Sequence, residues 1–271
     1  VVVAALAGLV ASMIGLLARR RPGLGDVQAA LTCAVVAFLI RCAAQWIPVH
    51  VPLTTLAAII VLLPGLSFTT ALAELAIRHL AAGSARLMGA MAVFVTMAIG
   101  VGIGDKAAIK LVGEVPVGDP VSLGPVWLGA ALLANWIAFT LLLRGTLRQS
   151  PWVLAAVVAG YGGARAGSLM LGTELGAVVG AMAVALLGNV YSRWLRQPAA
   201  IVRTPGLLLL VPGSLGLSGL TTAISGDFAS SAPFAFRMLL VGGSIVAGLL
   251  FAGVLLPPPL EVEPESRTAT E

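Results

Sequence analysis

Two proline–glycine pairs, Pro64-Gly65 and Pro212-Gly213, stand inside long apolar runs, and hydroxyl side chains follow each. These are Ser67, Thr69 and Thr70 in the first half, and Ser214, Ser218, Thr221 and Thr222 in the second. Proline removes a backbone donor and clashes with the preceding helical turn, while glycine adds backbone freedom. A helix broken in this way leaves N–H and C=O groups free, which a membrane tolerates only where protein or a water-filled cavity satisfies them. Such broken ends can hold an amino acid, the N–H ends taking its carboxylate and the C=O ends its ammonium. A packing kink would explain one such pair. Two pairs in corresponding positions, both hydroxyl-rich, favour substrate binding or gating, although Ser and Thr can equally bond their own helix backbone.

Charges inside apolar runs form a second set. Asp26, Arg41, Arg165 and Glu174 lie in such runs or at their ends. A charge in the bilayer centre costs roughly 2.5–3.5 kcal/mol on insertion scales, so it pairs or faces water. Asp26 and Glu174 can also act as helix caps at the interface. Glu74 is the candidate proton-coupling carboxylate, because a carboxyl in apolar surroundings takes up protons readily; its alternative is an interfacial charge near Arg78, four residues on. His79 could relay protons near neutral pH or simply sit at the interface. Asn135 and Asn189 could bond substrate or a neighbouring helix.

Enzyme chemistry is less well served. Gly102-Ile103-Gly104-Asp105 is similar to the GxGD motif of membrane aspartyl proteases, but that class needs a second membrane Asp, typically after Tyr. Tyr161 and Tyr191 precede Gly162 and Ser192 instead. A serine version needs a paired His, and His50 and His79 both fall at span ends. No phosphate loop of the Walker type is present, which argues against ATP as a driver. Cys33 and Cys42 share one apolar run and offer neither a disulfide framework nor metal-ligand spacing. No catalytic residue, metal or cofactor is expected.

The elements that must position these groups follow from composition. Of 271 residues, 59% are hydrophobic and 10% charged, with a mean hydropathy of +1.05. That charge is too sparse to cover a water-soluble domain, so the chain is an all-α, polytopic membrane protein. The net charge of +5 sits as short Arg clusters between apolar runs. Topology explains this better than nucleic-acid binding, which is not expected. Nine runs are long enough to be spans: near 1–18, 26–47, 52–74, 86–104, 125–143, 151–168, 174–191, 205–225 and 237–256. Alternating the connections puts Arg19, Arg20, Arg21, Arg78, Arg86, Arg144, Arg148, Arg193, Arg196 and Arg203 on one side. Lys106, Lys110, Arg165 and Arg237 fall on the other. The basic side is the cytoplasmic one, which places the C-terminus in the cytoplasm of a bacterial-type plasma (inner) membrane.

A shift of 148 residues lays Pro64-Gly65 on Pro212-Gly213, Trp46 on Trp194 and Asp26 on Glu174. The second half has five runs and the first has four. The missing member would precede residue 1, where the chain opens Val1-Val2-Val3 without Met and reads as an internal cut in a longer protein. Units of five helices, an odd number, enter the membrane from opposite faces, giving an inverted-topology repeat. The expected organisation is a first membrane module over 1–104, a connecting loop over 105–124, a second module over 125–256 and a disordered cytoplasmic tail over 257–271. The glycines at 100, 102, 104, 242, 243, 248 and 253 offer smooth faces for close helix packing.

The stretch from Leu62, LLPGLSFTTALAELAIRHLAAGSARL, resembles the threonine/serine exporter family. The residues that carry the resemblance are Pro64, Gly65, Glu74, His79, Gly83 and Arg86. The second signature is LVPGSLGLSGL over 210–220, followed by Arg237. The family often has Asn where this chain has Thr70, and Asp where it has Glu74. The resemblance implies ten spans in two modules, a cytoplasmic region before the first span, and export of small hydroxy amino acids driven by protons or another ion. Its partners are thus an amino acid, a coupling ion and the lipid bilayer, with assembly into a homo-oligomer left open. An exporter or channel for another small solute is the alternative reading, and a GxGD-type protease a remote one.

Overall fold

The computed structural model describes residues 2–20, 22–25, 27–114 and 124–257. Asp26, Arg21, the segment 115–123 and the tail beyond Pro257 lie outside the described residues, so the expectations for them have no structural counterpart here. The elements are α1 (Val2–Ala18), α2 (Pro22–Gly25), α3 (Gln28–Ala43), α4 (Val51–Ile59) continued by a 3₁₀ turn (Ile60–Leu62), α5 (Gly65–Ala76) and α6 (Leu80–Val112). There follow α7 (Pro125–Leu142), α8 (Ser150–Leu171), α9 (Gly176–Leu195), α10 (Ala200–Leu210), α11 (Gly213–Ile224) and α12 (Phe228–Leu255). No strand occurs among the described residues.

Six helices or helix stretches are long and apolar enough to cross a membrane: α6, α7, α8, α9, Ala200–Ile224 and α12. The pair Val51–Leu62 and Gly65–Ala76 is one further candidate, bent by 63° at its break. Two shorter apolar helices, α1 and α3, occupy the first two runs expected from sequence. The chain is thus an all-helical, multi-pass membrane protein.

One boundary differs from expectation. Residues 105–112 were assigned to a connecting loop, yet α6 runs through them to Val112 and also begins earlier, at Leu80. No proline interrupts this stretch, and the helix stops only at Gly113, whose φ of 82° is easy for glycine alone. At 1.5 Å per residue its 33 residues are about 50 Å long, well beyond the roughly 30 Å hydrocarbon core. Asp105 and Lys106 are therefore helical residues.

The chain divides into two compact units, Val1–Leu128 with Val211–Val246, and Gly129–Leu210 with Ala247–Glu271. In the first unit α3 lies along α6 at unusually short range. A Cβ built at Gly100 would stand 2.3 Å from the Ala30 carbonyl oxygen, and one at Gly104 would stand 2.0 Å from that of Ala34. Only hydrogen side chains allow this approach, the device by which membrane helices gain contact without a hydrophobic driving force. Phe68, Phe94, Met97, Ile40 and Ile59 fill the core beside this contact. In the second unit α8 and α9 meet in the same manner, a Cβ at Gly163 falling 2.9 Å from Gly180 Cα and one at Gly176 falling 2.6 Å from the Ser168 nitrogen. Tyr191 is fully buried there and meets Trp152 edge to face, with ring centroids 5.1 Å apart.

Helix ends carry two further features. Asp227 precedes α12, and its Oδ1 accepts the Ser230 N–H at 3.0 Å. The Ser230 hydroxyl and N–H hold this carboxyl below its ordinary value. The cap is therefore complete above the usual carboxyl range and is lost as pH falls through the depressed value. Arg78, Arg144 and Arg196 are the three non-glycine residues with positive φ among those described, at 67°, 52° and 52°, and each follows a helix end.

The α3–α6 contact predicts that Gly104→Ala lowers stability by about 1–3 kcal/mol or more, the usual cost of overpacking. Gly89→Ala in the same helix, with nothing within 4 Å of the added carbon, should be neutral or mildly stabilising. Thermal unfolding of the two purified variants checks the contrast.

Candidate functional site

The break before α5 has a direct chemical cause. Leu63 is extended (φ −62°, ψ 127°), the conformation that a following proline imposes, and Pro64 takes the N-cap of the next helix at φ −79° and ψ 32°. The second interruption repeats the proline geometry without the bend: Pro212 is the N-cap of α11 at φ −80° and ψ 27°, while Ala200–Ile224 as a whole remains one span-length stretch. Neither proline supplies a side-chain cap. The first helical bonds run from Phe68 N–H to Pro64 O at 2.9 Å and from Gly216 N–H to Pro212 O at 3.3 Å. The N–H groups of Gly65, Leu66 and Ser67, and of Gly213, Ser214 and Leu215, therefore have no acceptor within their own helices.

These two N-termini meet inside the first unit. A Cβ at Gly65 would lie 2.0 Å from Val211 Cγ1 and 3.2 Å from Gly213 Cα; one at Gly213 would lie 3.2 Å from Leu63 Cβ. Both glycines are buried. Each N-terminus carries about half a positive charge, so the contact sets two positive dipole ends side by side. The donors of the neighbouring threonines are committed elsewhere. Thr69 Oγ1 donates to Gly65 O at 2.9 Å, Thr70 Oγ1 to Leu66 O at 2.7 Å, Thr221 Oγ1 to Leu217 O at 3.0 Å and Thr222 Oγ1 to Ser218 O at 2.8 Å. Ser67 and Ser214 are exposed on the first turns of α5 and α11.

Glu74, expected in apolar surroundings, forms an ion pair with Arg86. Both of its oxygens accept from Arg86 Nε at 3.1 Å, and Arg86 Nη2 reaches Oε1 at 3.0 Å. Its partner is therefore Arg86, twelve residues on, rather than Arg78. The cause is the tight α5–α6 turn, in which Gly83 packs so closely that a Cβ would lie 2.8 Å from Leu75 Cγ. His79 is the N-cap of α6, exposed, with its backbone N–H on Glu74 O at 2.9 Å. Arg237 is exposed on α12, away from the helix breaks in sequence. Glu174 precedes the α9 N-cap, Leu175, by one position and accepts the Thr173 hydroxyl at 2.7 Å, so it is not itself the cap. Asn135 bonds back to Ala131 O of its own helix at 2.9 Å. Asn189 is fully buried, donates to Leu256 O at 2.5 Å and accepts from Arg203.

A second feature of the first unit was not expected. A cleft of about 430 Å³ opens between α3, α4, α6 and α11. Arg41 and Asp105 form a two-pronged ion pair in its wall: Arg41 Nη2 donates to Asp105 Oδ2 at 2.9 Å, and Nε donates to Oδ1. Their side chains are 13% and 29% exposed. Lys106 stands beside them, and Thr55, Ser218, Thr221, Thr222 and Ser225 supply hydroxyls. Of the hydroxyl residues singled out from sequence after Pro212-Gly213, Ser218, Thr221 and Thr222 line this cleft. Arg41 is the charge inside an apolar run whose cost calls for a partner. Asp105 belongs to the Gly102-Ile103-Gly104-Asp105 pattern, and its engagement by an arginine differs from the paired carboxylates of membrane aspartyl proteases. The signal that joins them is the spacing of Gly100 and Gly104, which brings α3 against α6 and so sets Arg41 beside Asp105.

Interrupted helices, glycine-lined helix contacts and a polar cleft among apolar helices are the features of a multi-pass membrane protein. Residues 1–107 match one model of the threonine/serine exporter family, ThrE, and residues 132–255 match a second, described as Threonine/Serine exporter, ThrE. The chain belongs to the threonine/serine exporter family. It is similar to a pheromone-regulated membrane protein 10 of Candida albicans, 29% identical over 230 residues covering 73% of this chain and 20% of the relative. It is also similar to an uncharacterized protein of Schizosaccharomyces pombe, 23% identical over 167 residues covering 60% of this chain and 20% of that relative. The chain thus spans about a fifth of the length of these relatives. No solved structure matches it.

The contact between the breaks predicts that Gly65→Ala costs about 1–3 kcal/mol, and that Val211→Ala on top of it recovers part of the loss. A double-mutant cycle of chemical or thermal unfolding measures the coupling. Additive effects would place Gly65 and Val211 apart.

Proposed function

We propose that this protein is a secondary transporter that exports small hydroxy amino acids, threonine and serine, at the expense of a proton gradient. The observation that supports this reading is the meeting of two broken spans in a member of the exporter family, N-terminus to N-terminus at Gly65 and Gly213. Two positive dipole ends with uncommitted backbone donors favour a carboxylate that passes or pauses there. Breaks of this kind also serve as hinges, since the helices on either side of Pro64 or Pro212 share no backbone hydrogen bond across the proline nitrogen.

The proposed architecture is an inverted repeat of five-helix units, with nine spans in this chain and its C-terminus in the cytoplasm of a bacterial-type inner membrane. The recurrence of a Pro-Gly N-cap, a helix of 12 residues and then a helix of 33 or 28 supports the repeat. In this reading Pro64, Gly65, Ser67, Thr69, Thr70, Pro212, Gly213, Ser214 and Ser218 bind or gate the substrate. The Glu74–Arg86 pair, with His79 beside it and Arg237 as the counterpart of Arg86, couples proton movement to transport. A carboxylate whose counter-ion is a single arginine can release that arginine on protonation, and so free the α5–α6 turn.

Efflux of labelled threonine, serine and alanine from loaded cells expressing the full-length protein, with and without an uncoupler, tests the function. Faster loss of threonine and serine than of alanine, abolished by the uncoupler, is the expected result. Efflux that ignores the gradient would indicate a channel, and efflux of all three solutes alike would remove the substrate assignment. Glu74→Gln should flatten the pH dependence of efflux; an unchanged pH profile would leave this carboxylate a structural role only.

A further inference from the structure

We propose that the cleft between α3, α4, α6 and α11 is where the amino acid is recognised as a zwitterion, its carboxylate taken by Arg41 and Lys106, its ammonium by Asp105, and its side-chain hydroxyl by the hydroxyls of α11. This deepens the exporter reading and rests on it, but moves recognition away from the helix breaks.

The volume of about 430 Å³ falls within the roughly 300–1,000 Å³ of small-ligand sites. Its charged lining sums to +1: Arg41 and Lys106 positive, Asp105 negative. The ion pair at the cleft joins Arg41 to Asp105, and among the described residues no carboxylate forms a salt bridge with Lys106. A lone cation is repelled from such a site. A zwitterion brings one charge for each existing charge: its carboxylate bridges the two cations while its ammonium meets the Asp105 carboxylate. The ligand thus replaces the protein's own pair without leaving either member buried and unpaired, the arrangement that would be costly.

The opposite wall explains a preference for a hydroxyl. The donors of Thr221 and Thr222 are committed to carbonyls of α11, and Ser225 Oγ donates to Thr222 O at 2.7 Å. What these groups present to the cleft is oxygen lone pairs, so the wall accepts hydrogen bonds. A threonine or serine side chain can donate to it; valine, of the same shape as threonine, cannot. Leu56, Leu217 and Ile224 supply the apolar contact for the rest of the side chain. Because α11 starts at the Gly213 break and its later turns line the cleft, occupancy at one end of this helix bears on the hinge at the other.

Binding of labelled threonine to the purified full-length protein in lipid nanodiscs tests the assignment. Serine should compete and valine should compete about five- to ten-fold less well, the worth of one net hydrogen bond. N-acetyl-threonine and threonine amide, each lacking one charge, should fail to compete. Arg41→Gln and Asp105→Asn should each weaken threonine at least ten-fold, and Asp105→Asn should also lose the discrimination against N-acetyl-threonine. Should these single variants misfold, the swap Arg41→Asp with Asp105→Arg restores the ion pair; it should recover thermal stability without recovering binding. Recovery of binding by the swap, full affinity in Asp105→Asn, or preferential binding of a dicarboxylate such as succinate would overturn the proposal. A wild-type protein that exports threonine while Asp105→Asn binds it normally refutes this site alone. A wild-type protein that neither binds nor exports any amino acid refutes the exporter reading itself.

Discussion

Every backbone polar group in the hydrocarbon core must find a partner inside the protein, and the interruptions at Pro64 and Pro212 are where this chain departs from the simplest way of meeting that demand. Each proline ends one helix and starts another, and the two restarts meet so closely that a side chain at position 65 would overlap Val211 and one at 213 would press on Leu63. Neither break could lie against lipid without a large penalty. Their mutual burial explains why α11, from late in the sequence, belongs to the same compact unit as α3 to α6. The second half of the chain is drawn into the first at the residues that need shelter.

Small residues set the remaining geometry. Between α3 and α6 the loss of side chains at positions 100 and 104 lets one helix rest on the carbonyls of the other. A consequence lies one residue beyond: Asp105 comes within reach of Arg41, 64 positions away in sequence. The charges are thereby fixed by backbone contact rather than by flexible loops, the condition under which a polar cleft keeps its shape among apolar helices. The α5–α6 turn follows the same rule, with Gly83 allowing Arg86 to fold back onto Glu74.

Much of this architecture could be read before any coordinates existed, because a membrane helix announces itself by length and apolarity. Each of the nine apolar runs is occupied by a helix or a helix pair, and both Pro-Gly pairs sit at real breaks. The glycines at 100, 104, 242 and 248 do make close contacts, whereas 243 and 253 have nothing within 4 Å. What composition and spacing could not supply was neighbours. Glu74 was read against Arg78 because local spacing favours a residue four positions on, but Arg78 turns into the left-handed region and the chain reverses, delivering Arg86. Asp105 was read as a loop residue because the charges at 105, 106 and 110 mark the end of an apolar window, while the helix continues past it. The cleft, assembled from four helices, has no linear signature, although the hydroxyl pattern pointed to three of its members, Ser218, Thr221 and Thr222.

Arg78, Arg144 and Arg196 occupy a backbone conformation that costs an ordinary residue roughly 1–2 kcal/mol and glycine almost nothing. Each follows a helix C-terminus, whose partial negative charge favours a cation in the last turn. The same cations weigh on which way a nascent hairpin enters the bilayer. At these three corners biogenesis and conformational ease therefore pull in opposite directions. A chain optimised only for the folded state would place glycine there, and in doing so would give up information that the insertion machinery needs before the fold exists.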